Sequence, residues 1–334
     1  MAIRVLTTRG ELPGSGLRRL AGAAGLVSWH GTGRPAPEDL AALAPGSTAV
    51  LALGNDPVDA ALLDAAGPSL RVVALASMGF DNVDRAAAAE RGVVVTHTPG
   101  VLAETTADLT FALILAARRR LGAAAASLAR GDWGLFRMDD YLGLDVHGAT
   151  LGLVGYGQIG RAVARRTQGF GMRVLHHDPY AAETDALSTP VDLETLLAEA
   201  DIVSLHVPLT AETRHLVSHR ELAAMKPTAT LVSTSRGGVV DEEALLTAIR
   251  AGTLHSAGLD VFEREPMGAE LSPLAAEPYV VTLPHIGSAT ERTRAAMVDL
   301  AVDNILDVLR DRPARTPLPG TASAYERPVS GSRS

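Results

Sequence analysis

The sequence contains no cysteine, few aromatic residues and no long uninterrupted apolar run. Without cysteine the chain cannot form disulfides, use a thiolate nucleophile or bind a metal through cysteine. No stretch reaches the roughly 18 apolar residues that a membrane helix needs. The first residues, MAIRVLTTRG, also lack the apolar run of a secretory signal. We therefore expect a cytoplasmic protein that does not enter a membrane.

The chain also carries fewer positive than negative charges. The formal net charge is −8 and the isoelectric point is about 5.7. This balance argues against nucleic acids and anionic membranes as partners, because both usually require a basic surface. The dense basic run at 118–120 closes a predicted helix, where cations complement the helix dipole. At 334 residues with 47% apolar content, the chain is long enough for two domains with substantial cores.

Short apolar runs alternate with helix-compatible segments along most of the chain, which predicts an α/β fold with parallel sheets. A long helix is predicted at about 102–120 and a last helix at about 289–310. The end of the chain, 321–334, is rich in Pro, Ser and Gly and is predicted to be flexible. Strands are predicted at 3–8, 49–53, 71–76, 93–96, 151–155, 173–177, 202–206, 229–233, 256–260 and 279–283.

A glycine-rich turn follows the strand predicted at 151–155 and opens a segment with helical apolar spacing. Gly155, Gly157 and Gly160 form the pattern GxGxxG. The first glycine permits a tight turn, the second lets the backbone approach a pyrophosphate, and the third allows close packing of helix on strand. The helix N-terminus attracts the phosphates. The pattern alone is weak, but its strand–turn–helix context predicts a dinucleotide site.

Asp178 ends the next predicted strand, 18 positions after Gly160. A carboxylate there can accept hydrogen bonds from both hydroxyls of an adenosine ribose and would repel a 2′-phosphate. The sequence therefore favours NAD(H) over NADP(H). The simpler interpretation is that Asp178 only begins an Asp-Pro turn. His176 and His177 complicate the preference, because a cation at this place would tolerate phosphate.

Charged side chains follow three further predicted strands. Arg236 follows one, Asp260 ends the next and is followed by Glu263 and Glu265, and His285 follows the last. Ligands of open α/β sheets bind at the carboxyl ends of the strands. An arginine, a carboxylate and a histidine at such ends form a plausible acid–base group. Taken alone, Arg236 would more often be a surface or capping residue, and His285 could merely mark the end of a strand.

The ordered motifs resemble those of the D-isomer-specific 2-hydroxyacid dehydrogenases, and most closely their glyoxylate/hydroxypyruvate reductase branch. The resemblance extends from about residue 71 to about residue 310. It rests on the motifs SMGFDNVD (77–84), TPGVLAETTADLTFALILAARRR (98–120), LGLDVHGATLGLVGYGQIGRAVARR (142–166), GFGMRVLHHDP (169–179), LHVPLTAETRHLV (205–217), SRGGVVDEEAL (235–245), GLDVFEREP (258–266) and PHIGSAT (284–290).

This resemblance implies two Rossmann-like, doubly wound parallel-sheet domains, with the substrate domain discontinuous. Residues 1–98 and 286–320 would form the substrate domain and 99–285 the NAD-binding domain. The chain would cross between them near Pro99 and Gly287. The helical segment 106–120 resembles the family's dimerisation segment, so a homodimer is expected. Its apolar residues are equally compatible with an ordinary core helix.

The resemblance also implies roles for individual residues. His285 resembles the family's general acid/base, Glu265 the carboxylate that favours its protonated form, and Arg236 the residue that binds the substrate carboxylate and polarises the carbonyl. The backbone at Met78 and Gly79 resembles the loop that donates N–H groups to the same carboxylate. Beside the three glycines and Asp178, the residues expected to contact the cofactor are Thr106, Gln158, Ile159, Pro208, Thr234, Ser235 and Asp260.

The expected reaction is hydride transfer from NADH to the carbonyl carbon of a small 2-oxoacid, with a proton from His285 and without a metal. Three positions depart from the family pattern and leave the choice of oxoacid open. Ser233 and His97 stand where asparagine is common, and Phe136 stands where a second tryptophan is common, in the loop 133–136 that resembles a cap on the neighbouring subunit's active site.

Other members of the same architecture remain as alternatives. Phosphite and formate dehydrogenases share the fold and the cofactor, although the formate branch usually carries glutamine where this chain has Glu265. NAD-sensing corepressors share the fold as well, and some retain the Arg, Glu and His set. The acidic balance of this chain and the lack of a long regulatory extension weigh against the corepressor alternative.

Overall fold

The computed structural model describes residues 3–181, 185–267 and 271–321. The chain divides into two compact units, the first formed by Met1–Leu102 and Ala289–Ser334 and the second by Ala103–Ser288. The sequence placed the crossings a few residues earlier, near Pro99 and Gly287. Except for Thr321, the predicted flexible tail lies outside the described residues. No described helix is long and apolar enough to cross a membrane.

The first unit is a parallel five-stranded sheet flanked by helices. Its strand order is β2-β1-β3-β4-β5, so the chain reverses direction across the sheet after β2. In chain order its first elements are β1 (Arg4–Thr7), α1 (Gly16–Ala21), β2 (Gly25–Ser28), α2 (Pro37–Leu43), β3 (Ala49–Ala52), α3 (Ala60–Ala66), β4 (Val72–Leu75), α4 (Arg85–Glu90) and β5 (Val94–Thr96).

The second unit is a parallel seven-stranded sheet in the order β12-β11-β10-β9-β6-β7-β8. Three single-turn 3₁₀ helices, Thr167–Phe170, Gly237–Val239 and Pro273–Ala276, join its elements. These elements are α5 (Ala103–Arg118), α6 (Leu121–Arg130), β6 (Thr150–Val154), α7 (Gln158–Arg166), β7 (Arg173–His177), β8 (Thr189–Pro190), α8 (Leu193–Glu199), β9 (Ile202–Leu205), α9 (His219–Ala224), β10 (Thr230–Ser233), α10 (Glu242–Ala251), β11 (Ser256–Leu259) and β12 (Val280–Thr282).

The chain then returns to the first unit as α11 (Glu291–Leu309). Apolar residues of α11, among them Val302 and Ile305, share a core with Val72 and Ala74 of β4. The alternate residues of β4 point to the opposite face of the sheet and join a second core there. Both faces of the sheet are therefore covered, which explains why β3 and β4 are apolar at every position.

The second sheet is covered on both faces in the same way. In β10, Leu231 belongs to the core that contains α10, and Val232 to the core that contains α5. The order of this sheet changes direction between β6 and β9, and ligands of doubly wound sheets bind outside the carboxyl ends of the strands at such a point. The fold class predicted from the sequence is confirmed: both units are doubly wound parallel sheets, and the first is discontinuous.

Two of the described strands and one described helix were not predicted from the sequence. β2 and β8 lie at sheet edges and are half-exposed to exposed, so neither has the continuous apolar run of a buried strand. The long helix predicted at 102–120 ends at Arg118, because Arg120 adopts a left-handed φ of 55° and α6 begins after it. The apolar residues of α5 lie in the core of the second unit.

Candidate active site

The glycine turn after β6 has the geometry that its three glycines predict. Gly155 has a φ of +93°, and a Cβ there would lie 2.7 Å from the carbonyl oxygen of His206 after β9. A Cβ at Gly160 would lie 2.3 Å from the carbonyl oxygen of Gly155, so helix and turn touch. At Gly157, by contrast, a Cβ would meet no atom within 4 Å. The backbone there faces open space beside the first residues of α7, Gln158 and Ile159, as a pyrophosphate requires.

Asp178, directly after β7, is fixed against this turn. Its Oδ2 accepts a hydrogen bond from the backbone N–H of Tyr156 at 2.8 Å, and its Oδ1 accepts from the N–H of Tyr180 at 2.9 Å. A carboxylate oxygen can accept more than one hydrogen bond, so both keep capacity for ribose hydroxyls. The residues present therefore fit a dinucleotide.

The two histidines before Asp178 are held by the protein. His176 is buried, stacks on the ring of Tyr156 with centroids 4.1 Å apart, and is hydrogen-bonded to Ser188. Burial lowers the pKa of His176, although Asp178 and Asp185 oppose the shift. His176 therefore stays neutral at pH 7 and supplies no cation for a phosphate. His177 Nδ1 lies 3.2 Å from the carbonyl oxygen of Val191.

Three adjacent strands of the second sheet, β10, β11 and β12, carry the predicted chemical residues at their carboxyl ends. His285, after β12, lies with its Nδ1 2.6 Å from Oε2 of Glu265, in the loop after β11. The other oxygen of Glu265 accepts the backbone N–H of Phe262 at 2.7 Å. An ionised carboxylate only accepts, so Nδ1 of His285 carries a proton and Nε2 is the nitrogen left for a substrate. The side chain of His285 is 47% exposed.

Glu263, the other candidate partner of His285, pairs with a different histidine. Its carboxylate is 3.1 Å from Nε2 of His215 and also accepts the N–H of Glu242 at 3.3 Å. The structure thus brings Glu265 to His285 and separates Glu263 from it.

Asp260 fixes the backbone of residues 285–287, which includes that of His285. Its buried carboxylate accepts the N–H groups of Ile286 and Gly287, each at 2.7 Å, and its carbonyl oxygen accepts the N–H of His285 at 2.9 Å. Burial raises the pKa of Asp260, against the opposing effect of these N–H groups. His285 has a left-handed φ of 52°, which is unusual for a residue with a Cβ. Three successive N–H groups bonded to one residue stabilise that conformation, a role that the sequence did not indicate.

Arg236 follows β10 and is half-buried. Its Nη1 donates to the carbonyl oxygen of Ser235 at 2.8 Å. The next residue, Gly237, packs so closely on the loop after β11 that a Cβ there would lie 1.8 Å from the carbonyl carbon of Phe262. Since Phe262 also binds Glu265, the segments that carry Arg236 and Glu265 are fixed against each other.

The remaining residues predicted to face the nicotinamide form a small hydroxyl network. Thr106 donates to the carbonyl oxygen of Gly287 at 3.2 Å, and Thr110 bonds both the carbonyl oxygen of Thr106 and the hydroxyl of Thr234. Ser235 lies 3.2 Å from the hydroxyl of Ser233, the departure noted in the sequence. Thr110 was missed because nothing in the sequence marks a threonine inside an apolar helix. Pro208 lies exposed after β9, and its carbonyl oxygen accepts the hydroxyl of Thr213 at 2.6 Å.

Met78 and Gly79 belong to the first unit, in the loop after β4. The hydroxyl of Ser77 donates to the carbonyl oxygen of Gly79 at 2.6 Å, and His97 Nδ1 lies 2.9 Å from the carbonyl oxygen of Met78. The described residues include no group of three or more histidine, aspartate or glutamate side chains that could hold a metal ion.

Comparison with known proteins identifies the family. Residues 111–287 match the model of the D-isomer specific 2-hydroxyacid dehydrogenase, NAD binding domain. The chain is 44% identical to a glyoxylate reductase of Korarchaeum cryptofilum over 92% of each chain. It is 47% identical to glyoxylate/hydroxypyruvate reductase B of Erwinia tasmaniensis, over 76% of this chain and 80% of that one.

A solved structure agrees with the family model and with the two similar reductases. The NADPH-dependent glyoxylate/hydroxypyruvate reductase of Sinorhizobium meliloti, in complex with NADP and malonate, superimposes with a TM-score of 0.84 at 35% identity, over 96% of this chain and 98% of that one. The family model covers more than half of the chain, and the relatives cover most of it. Both agree with the chemical residues found at the carboxyl ends of β10, β11 and β12. The chain therefore belongs to the D-isomer-specific 2-hydroxyacid dehydrogenases, oxidoreductases that act on a CH–OH group and bind a nicotinamide cofactor.

Proposed function

We propose that this protein is an NADH-dependent reductase of small 2-oxoacids of the glyoxylate and hydroxypyruvate class, which it converts to the D-2-hydroxy acid. The observation that supports the chemistry most directly is the pair formed by His285 and Glu265 at 2.6 Å, at the carboxyl end of the sheet that also carries the glycine turn. The named reductases among the relatives support the substrate class.

In this proposal His285 is the proton donor. Its Nδ1 is engaged by Glu265, so Nε2 gives its proton to the carbonyl oxygen of the substrate, and Glu265 stabilises the protonated ring beforehand. The cofactor, when bound, supplies the hydride. In the reverse direction, Nε2 of the neutral ring takes the hydroxyl proton.

Binding of the substrate carboxylate is assigned to Arg236 and, in the first unit, to the N–H groups of Met78 and Gly79. A guanidinium can bind a carboxylate with two parallel hydrogen bonds, which orients the acid as well as attracting it. The same cation polarises the neighbouring carbonyl. Neutral carbonyl compounds without a carboxylate should accordingly be poor substrates.

The preference for NADH over NADPH rests on Asp178. A carboxylate anchored by the N–H groups of Tyr156 and Tyr180 is suited to ribose hydroxyls and repels a 2′-phosphate. Neutral His176 offers that phosphate no compensating charge. The Sinorhizobium meliloti relative is NADPH-dependent, so the two cofactors must be compared directly in this protein.

We also propose a homodimer. Large apolar side chains are exposed in succession between residues 121 and 142, whereas those of α5 are in the core. An apolar surface of this kind is typical of an interface. The exposed residues are Leu121, Leu128, Trp133, Leu135, Phe136, Met138, Tyr141 and Leu142. Light scattering should give twice the mass of the chain, and Leu135→Lys with Phe136→Lys should reduce it; a monomeric native protein would contradict this part of the proposal.

The function is tested by NADH oxidation with glyoxylate, hydroxypyruvate, pyruvate and a branched 2-oxoacid, followed by chiral analysis of the product. We expect turnover with the two small substrates and a D product where a stereocentre forms. Tight NADH binding without turnover of any oxoacid would instead indicate a binding protein. Efficient oxidation of phosphite or formate would place the chain with other members of the architecture.

A further inference from the structure

The loop 77–80, after β4 in the first unit, is tied to the segment that leaves β5. Two successive carbonyl groups of the loop are bound by that segment. The carbonyl oxygen of Ser77 accepts the N–H of Thr98 at 2.8 Å, and the carbonyl oxygen of Met78 lies 2.9 Å from Nδ1 of His97. Because a carbonyl oxygen only accepts, Nδ1 of His97 carries the proton of this bond.

These two bonds determine where the neighbouring N–H groups point. A trans peptide is planar, so its N–H and C=O groups point in opposite directions. The N–H of Met78 shares a peptide with the Ser77 carbonyl, and the N–H of Gly79 shares one with the Met78 carbonyl. Both N–H groups are thereby turned away from 97–98, and in the described part of the chain neither donates to another group.

The backbone and the ring of His97 are themselves held in place by other contacts. Its N–H donates to the carbonyl oxygen of Thr316 at 3.2 Å, and the Thr316 hydroxyl donates to the carbonyl oxygen of His97 at 2.6 Å. The buried Asn304 of α11 donates to the same hydroxyl at 2.9 Å. The rings of Phe80 and His97 also form a T-shaped pair, with centroids 5.5 Å apart. The ring thus has little freedom to leave the Met78 carbonyl.

We infer that His97 is a positioning residue for substrate binding, acting through the peptide between Met78 and Gly79. Its Nδ1–H fixes that peptide so that the Gly79 N–H is presented, together with that of Met78, as a donor pair for the carboxylate of the 2-oxoacid. This inference rests on the proposed function, because the carboxylate is the group that the two N–H donors hold. An asparagine at 97 would serve equally, since its Nδ2 stands at the same branch position as Nδ1 of histidine.

Matched substitutions at residue 97 separate this role from simple packing. His97→Asn keeps a donor at the δ position, whereas His97→Gln moves it one atom farther and His97→Ala removes it. We expect Gln and Ala to raise the KM for glyoxylate by about 5- to 10-fold, the effect of one neutral hydrogen bond. kcat and the KM for NADH should change by less than about twofold, because the lost interaction stabilises the bound substrate and the transition state equally. Asn should restore the wild-type KM.

The dissociation constant of oxamate, an unreactive 2-oxoacid analogue, measured with NADH bound, should rise in parallel with the glyoxylate KM. Thr316→Val, which loosens His97 without touching the loop, should act in the same direction and keeps the inference testable if a variant at 97 fails to fold. Equal oxamate affinity in His97→Gln and wild type, or an Asn variant as weak as the Gln variant, would overturn the inference with the proposed function intact. A wild-type protein that reduces no 2-oxoacid would overturn both.

Discussion

The pair formed by Glu265 and His285 allows a sharp prediction for Glu265→Gln. The native carboxylate accepts two donors, the N–H of Phe262 at 2.7 Å and Nδ1–H of His285 at 2.6 Å. An amide has one accepting oxygen and one donating NH₂ group. The Phe262 N–H has a fixed direction and will keep the amide oxygen, so the NH₂ group is left facing Nδ1. The protonated ring then loses its acceptor and meets a second donor.

The size of the effect follows from that lost bond. A hydrogen bond to a charged group contributes about 1.5–3 kcal/mol, which corresponds to roughly 10- to 150-fold in rate if it is used in the proton transfer. The two side chains are 47% and 30% exposed, so solvent screening favours the lower part of this range. We expect kcat for glyoxylate reduction to fall about 10- to 30-fold, with an unchanged KM for NADH.

Glu263→Gln is the matched control, because the same change is made two residues away on a carboxylate that pairs with His215. Its kcat should stay within about twofold of wild type, since His285 is not its partner. Steady-state rates with NADH and glyoxylate, together with the thermal unfolding midpoint of each variant, measure the difference. The reasoning is refuted if Glu265→Gln keeps half of the native kcat, or if both substitutions are equally damaging in folded proteins.

Two further predictions concern the cofactor turn. Asp178→Ser removes the charge that repels a 2′-phosphate, so the ratio of kcat/KM for NADH over NADPH should fall by about 10-fold or more; an unchanged ratio would exclude Asp178 as the discriminating residue. Burial lowers the pKa of His206 to about 3, so its ring is neutral in the fold but protonates near pH 6.5 in the unfolded chain. Its contribution to stability is therefore present above pH 6.5 and is lost as the pH falls towards 3. Between pH 7 and 4.5 the unfolding midpoint should drop further in wild type than in His206→Gln, and parallel curves would show that another group governs acid stability.

Most of the fold could be predicted because its strands are buried on both faces. Val72–Leu75 and Ile202–Leu205 are apolar or small throughout, since helices cover each side, and such runs are visible without any alignment. Gly25–Ser28 and the two-residue strand Thr189–Pro190 have no such signal, because edge strands need not be apolar. The end of α5 was misplaced by the left-handed residue Arg120, whose side chain gives no hint of that conformation.

The candidate site likewise contains residues that the sequence could predict and contacts that it could not. The glycine turn and Asp178 were predictable from local spacing, since the chemistry they serve requires those residues at that distance. The choice of Glu265 over Glu263 depended on the family resemblance, and only the geometry separates their partners. The bonds of Asp260 to residues 285–287 and of His97 to Met78 join segments far apart in sequence. No local pattern encodes such contacts, and they were not predicted.

The central claim is that Nε2 of His285 donates the proton. It is tested most directly by kcat for NADH-dependent glyoxylate reduction in His285→Gln, with NADH affinity measured in the same sample. His215→Gln is the control, because His215 also pairs with a glutamate and has a left-handed φ of 51°. We expect kcat to fall by about 10²- to 10⁴-fold in His285→Gln alone, the range of general acid catalysis, with NADH affinity preserved. A loss of only a few-fold in the folded His285→Gln variant would contradict the account.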